Sequence, residues 1–102
     1  MKVQVLISTM NQVDYTLLDR MNIQTDAIVV NQCEENSVCE FTYKNHLVKW
    51  YSLKEKGVGL SRNTALMRAT ADILLFADDD VVFCDGYEQL VINEFKKCKN
   101  TS

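Results

Sequence analysis

The sequence predicts an α/β fold in a single domain, 1–102, built as three layers with helices on both faces of a mostly parallel sheet. Three observations carry that expectation. The apolar runs at 3–7, 27–30 and 73–77 are continuous rather than alternating, as strands covered on both faces are. Stretches with helical spacing of apolar residues alternate with them along the chain. The composition is that of one packed unit: 102 residues, 47% hydrophobic and 25% charged, with no proline and three glycines. Nothing reads as a linker, a repeat or a low-complexity segment, and the length excludes a multidomain enzyme.

The elements follow in order. Residues 3–7 form the first strand, and the small polar Ser8, Thr9 and Asn11 stand at its carboxyl end. Asp14 suits the N-cap of a short amphipathic helix whose apolar stripe is Val13, Leu17, Leu18 and Met21. Residues 27–30 are β-branched and apolar, a second strand, and 31–36 read as loop. Residues 38–43 and 47–52 have strand character with a turn at 43–46. Residues 54–59 hold two glycines and read as loop, and 61–70 carry the helix formers Ala65, Leu66, Met67 and Ala69. The run 73–77 is a fully apolar strand, ended sharply by Asp78-Asp79-Asp80. Asp85 with Glu88 three positions later resembles a capping box, and Tyr87, Leu90, Val91 and Phe95 give a last amphipathic helix to about residue 97.

The formal charge of −3 gives no electrostatic support for nucleic-acid or anionic-membrane binding. The apolar runs are too short to span a bilayer, and residues 1–5 lack the apolar region of a signal peptide, so an intracellular protein is expected. Cys33, Cys39, Cys84 and Cys98 show no C-x-x-C spacing, and His46 stands apart from them. Reduced, ordinary thiols and a surface histidine are the reading, rather than a zinc site or a Cys–His nucleophile.

In a parallel sheet, ligands bind beyond the carboxyl ends of the strands, so the polar residues after Ile7, Val30 and Ala77 are the candidates. Asp78-Asp79-Asp80 is the most informative cluster. Three adjacent carboxylates repel one another, and a hard divalent cation, magnesium or manganese, relieves that repulsion. Hard cations held by few carboxylates usually serve phosphates, which points to a diphosphate substrate. The stretch Gly57-Val58-Gly59-Leu60-Ser61-Arg62-Asn63 is the second cluster. Its glycines permit close backbone approach to a ligand, a helix start favours anions, and Arg62 adds a fork suited to phosphate.

Taken together, residues 3–7 with Ser8-Thr9-Met10-Asn11, then Ile28-Val29-Val30, then Gly59-Leu60-Ser61-Arg62-Asn63 and Ile73-Leu74-Leu75-Phe76-Ala77-Asp78-Asp79-Asp80, resemble a family 2 glycosyltransferase. The resemblance implies the Rossmann-like, nucleotide-sugar-binding half of a GT-A fold. It implies that Asp78 and Asp80 are the outer members of a D-x-D motif, with Asp80 on the Mn2+ or Mg2+ that bridges the donor diphosphate and Asp78 facing the ribose and metal. Asp79 stands between them. Thr9 and Asn11 match the turn beside the nucleotide, and Arg62 and Asn63 the residues that approach base and phosphates. Where the family often has two aspartates after its second strand, this chain has Asn31 and Gln32, amides that can still hydrogen-bond a base edge.

The expected partners are a nucleotide-sugar donor, a UDP-sugar by the family's habit, and a saccharide or lipid-linked acceptor. The expected place is the cytoplasm or the inner membrane face. The family's catalytic base comes from a second half, so here it is expected beyond Ser102. The chain is accordingly expected to be the N-terminal part of a longer enzyme, inactive alone. Self-association through an uncovered sheet edge at 73–77, the last helix, or both is expected as well. Two alternatives stay open. Asp78-x-Asp80-x-Val82 fits the nucleophile pattern of haloacid-dehalogenase-type phosphatases, and a non-enzymatic nucleotide- or metal-binding module needs no base.

Overall fold

A computed structural model describes residues 1–54 and 71–100, with side chains for 1–54 and 71–97. The glycine pair, Arg62, Asn63, the helix expected at 61–70 and the Cys98 thiol lie outside the described residues. So does Ser102, and with it the expectation of a catalytic base beyond it. Five strands, β1 (Val3–Met10), β2 (Asp26–Gln32), β3 (Ser37–Tyr43), β4 (His46–Leu53) and β5 (Ile73–Asp78), form one sheet in the order β3-β4-β2-β1-β5. All pairings are parallel except β3 with β4, which is an antiparallel hairpin. Two helices, α1 (Thr16–Arg20) and α2 (Tyr87–Asn100), are described. The architecture is a mostly parallel α/β sheet with few helices, and no described helix is long and apolar enough to cross a membrane.

Register explains the core. On one face Phe41, Val48, Ala27, Val5 and Leu75 align across all five strands, followed by Cys39, Trp50, Val29, Ile7 and Ala77. Leu17, Leu18 and Met21 of the α1 region and Tyr87 of α2 pack onto these rows. Leu6, Ile28 and Val30, with Tyr51, Leu53 and Leu74, occupy the opposite face. The hairpin turns through Lys44 and Asn45, both at positive φ (48° and 68°), the backbone of a two-residue type I′ turn. The Tyr43 hydroxyl donates to the Asp19 carboxylate, tying the hairpin to α1. Burial, and then that contact, push the Tyr43 phenol up to about 12.

Several expectations are corrected. β1 runs on to Met10, and Asn11 then turns the chain at φ 55°, which leaves Val13 96% exposed and outside the stripe of α1. Asp14 sits one residue ahead of the N-cap, Tyr15, and its carboxylate accepts from the Thr16 N–H (3.1 Å) and hydroxyl (2.7 Å). Those hydrogen bonds lower its pKa. Asn31 and Gln32 continue β2 instead of opening a loop, because β1 and β4 both extend far enough to pair with them. Phe76 is 50% exposed, because β5 has β1 as its one sheet neighbour among the described residues.

The last helix is rotated from its expected stripe: Tyr87 and Ile92 are buried while Leu90 and Phe95 are exposed. Asp85 does not act with Glu88 as a capping box; its carboxylate accepts from the Asn22 amide at 2.9 Å. The segment leading into α2 is instead sewn to the α1–β2 loop. Phe83 N–H donates to the Met21 carbonyl (2.9 Å), Asn22 donates to the Phe83 carbonyl (2.9 Å), and Gln24 bridges Cys84 and Gly86. The Tyr87 hydroxyl accepts from the Gln24 N–H (3.0 Å) and shares a 2.7 Å hydrogen bond with Thr25; burial raises its pKa.

Candidate functional site

The apolar rows end abruptly at the carboxyl edge of the parallel strands. The next row on the α1 face is Ser37, Ser52, Asn31 and Thr9, in register across β3, β4, β2 and β1. Strand β5 stops one position short, at Ser8 opposite Asp78, and the chain turns there: the Val81 N–H donates to the Asp78 carbonyl at 3.2 Å. That turn brings Asp79 onto Thr9, whose hydroxyl donates to its carboxylate at 2.7 Å. The residues are 70 apart in sequence. From β1 the sheet proceeds to β2 on one side and to β5 on the other, so the contact lies at the crevice where the strand order reverses.

Thr9, 6% exposed, is held from its other side. The Gln12 side-chain amide donates to the Thr9 hydroxyl (2.9 Å), and its carbonyl accepts from the Arg20 guanidinium (3.0 Å). Asn31, 1% exposed, uses its amide on the Gln12 main chain: Oδ1 accepts from the Gln12 N–H and Nδ2 donates to the Gln12 carbonyl, both at 3.0 Å. The loop after β1 is therefore fixed by a chain of side-chain hydrogen bonds running from Arg20 to Asp79. Gln12 is its hub, and nothing in the local sequence marks it.

Beside this network lies a cleft of about 640 Å³. Asn11, Asn31, Ser37 and Ser52 contribute to its lining, with Tyr15 and Trp50 as aromatic walls. The Tyr15 ring meets Trp50 edge-on at 4.9 Å and Phe41 at 4.5 Å. Asp14, Glu34 and Glu35 make its rim acidic, and no Lys or Arg lines it among the described residues.

The sequence-derived candidates separate accordingly. Thr9, Asn11, Asn31 and Asp79 meet at or beside the cleft. Gln32 is buried, and strand alternation points it to the opposite face from Asn31. Alternation likewise turns Asp78 away from the side of Ala77. Asp78, Asp79 and Asp80 are all exposed. Among the described residues no three carboxylate, thiol or imidazole groups converge as a cation cage. Hard carboxylate oxygens are the ligand type that suits Mg2+ or Mn2+.

No Cys–His pair accompanies the site among the described residues. His46 is at the amino end of β4, the far edge of the sheet, with Nδ1 3.8 Å from Asp26. The Cys39 thiol accepts from the Tyr15 hydroxyl at 3.6 Å, and Cys33, Cys39 and Cys84 are free. In comparisons with known proteins, no family model, no curated protein and no solved structure matches this chain.

Proposed function

We propose that the chain binds the diphosphate nucleotide of a sugar donor, as the donor half of a metal-dependent glycosyltransferase with a three-layer, Rossmann-like architecture. The observation that supports this reading is the Thr9–Asp79 hydrogen bond, which draws the polar turn after β1 and the acidic triplet together at the strand-order reversal, beside a cleft large enough for a nucleoside. In this reading Asp80 and Asp78 would hold Mn2+ or Mg2+, which would supply positive charge for a leaving diphosphate. Thr9 and Gln12 fix the position of Asp79, and the walls of Tyr15 and Trp50 exclude water from the base. The family resemblance alone assigns Arg62 and Asn63, which lie outside the described residues, to the phosphates and base. The acceptor is a saccharide or lipid-linked group, met at the cytoplasmic face. Deprotonating its hydroxyl needs a carboxylate base, which this reading assigns to no described residue.

Thermal unfolding tests it. A nucleoside diphosphate with Mn2+ raises Tm by more than either does alone, because each binds the folded state through the other. Asp80→Ala removes the metal-dependent part of that shift. A folded sample that shows no shift with any nucleoside diphosphate plus Mn2+ overturns the reading. Phosphate release from a phosphomonoester, lost in Asp78→Asn, would assign the triplet to a phosphatase instead.

A further inference from the structure

The hydrogen bonds between Arg20 and Asp79 form a relay that runs in one direction only. Arg20 Nη2 donates to Gln12 Oε1 (3.0 Å), Gln12 Nε2 donates to Thr9 Oγ1 (2.9 Å), and Thr9 Oγ1 donates to Asp79 Oδ2 (2.7 Å). The two ends of the relay set its polarity. A guanidinium has donors and no acceptor, so it meets only the carbonyl end of the Gln12 amide. The amide nitrogen is then the end that faces Thr9. With that N–H aimed at its oxygen, the hydroxyl turns its single hydrogen to Asp79, and a carboxylate accepts it with the strength of a charged partner. Turning the Gln12 amide over would set N–H against N–H at Arg20. It would also set two acceptors, the amide oxygen and Asp79, against each other for one hydrogen.

The supports of the relay are separate from its polarity. Asn31 holds the Gln12 main chain, with Oδ1 on the N–H and Nδ2 on the carbonyl, and so places the residue without orienting its side-chain amide. Arg20 ends α1, whose Leu17 and Leu18 are fully buried, so the core carries the donor that starts the relay. We propose that Arg20 is a positioning residue for the acidic turn. It selects the Gln12 orientation that leaves the Thr9 hydrogen to Asp79, and through Asp79 it aims the turn that carries Asp78 and Asp80. The value of that aim to a ligand rests on the donor-binding reading; the relay itself is tested without one.

Substitutions of opposite polarity separate this role from packing. Gln12→Glu keeps the shape and still accepts from Arg20, but it offers Thr9 no donor and competes with Asp79 for the hydrogen. Gln12→Met removes both polar ends and leaves Thr9 free to donate to Asp79. Packing or solvation alone would make Glu the milder change; reversed polarity makes it the harsher one. The carbon-13 resonance of the Asp79 carboxyl, recorded at neutral pH without ligand, is expected to move in Gln12→Glu and Arg20→Glu as it moves in Thr9→Val. It stays in place in Arg20→Lys, which keeps a cation that only donates. The Kd for a nucleoside diphosphate with Mn2+ rises about tenfold in Gln12→Glu and less in Gln12→Met. In a Thr9→Val background Gln12→Glu adds nothing to either readout, whereas an effect of its charge alone would persist there. Circular dichroism verifies the fold of each variant. An Asp79 resonance unmoved by Gln12→Glu and Arg20→Glu overturns the proposal, and so does a loss of affinity in Gln12→Met that equals or exceeds that in Gln12→Glu. A parent chain that binds no nucleoside diphosphate with Mn2+ overturns the donor-binding reading instead, and the resonance then decides the relay by itself.

Discussion

Thr9 carries the most structure per atom of any side chain at the site. Its hydroxyl donates to Asp79 and accepts from Gln12, and the residue is nearly buried. Thr9→Val keeps the shape and removes both hydrogen bonds. Asp79 is exposed and regains water, so the expected loss of stability is small, about 1 kcal/mol, read from denaturant unfolding. Binding should suffer more, because the carboxylate is no longer aimed. In the proposed reading Asp79 anchors the turn that carries Asp78 and Asp80, and residues that orient metal ligands in this indirect way typically govern affinity by about tenfold or more, which is the drop expected for a nucleoside diphosphate with Mn2+. Thr9→Ser restores the hydroxyl and should restore the affinity. A Thr9→Val chain that binds nucleotide normally would remove Thr9 from the site. The candidacy of Thr9 is legible in the sequence, since a small polar residue at the end of an apolar strand marks a ligand edge. That it touches Asp79, and that Gln12 and Arg20 brace it, is not: the partners are distant in sequence or sit in a loop without periodicity.

At the scale of elements, the hairpin shows how a turn sets register. Lys44 and Asn45 both occupy positive φ, which asparagine tolerates and lysine accepts at a cost. With the turn so placed, Cys39 opposes Trp50 and Ser37 opposes Ser52, and the polar row forms. Asn45→Gly is expected to leave stability unchanged or raise it by about 0.3 kcal/mol, whereas Lys44→Val forces a β-branched residue to positive φ and costs about 1–2 kcal/mol. Urea unfolding measures both; equal effects would mean that the turn conformation does not limit the hairpin. The strands are legible in the sequence because burial on two faces leaves long apolar runs. Their ends are not, since Asn31 and Gln32 are polar and still pair within the sheet. Spacing alone extends the stripe of α1 to Val13, because it registers an apolar residue without knowing where the preceding strand stops. For α2, spacing does not tell which side meets the sheet: Ile92 packs with Val3 and Ile73, while Leu90 and Phe95 face outward.

At the scale of the molecule, strand order decides where association is expected. Four strands, from β4 to β5, run parallel, β3 closes one end antiparallel, and β5 stands at the other with β1 as its one neighbour among the described residues. Its outer backbone groups have no described ladder to join. Beside it, Ile73, Leu90, Val91 and Phe95, with Glu94 as the one charged member, line a mainly apolar groove of about 400 Å³, and Phe76 is half exposed on the other face. A strand edge of this kind has no Lys, Pro or bulge within Ile73–Asp78 to discourage pairing. The partner that matches both an edge joined by no second described strand and the apolar groove is a second copy: two β5 strands related by a two-fold axis would pair antiparallel and bring α2 against α2. A concentration-dependent dimer is therefore expected in size-exclusion chromatography with light scattering. Phe76→Lys places a charge on the edge at an already exposed position, where folding is least at risk, and should shift the chain toward monomer with an unchanged circular dichroism spectrum. Leu90→Glu does the same from the helix side. If both variants and the parent chain elute as one monomeric species up to high concentration, the edge is not an interface between copies, and the exposed groove requires a different cover.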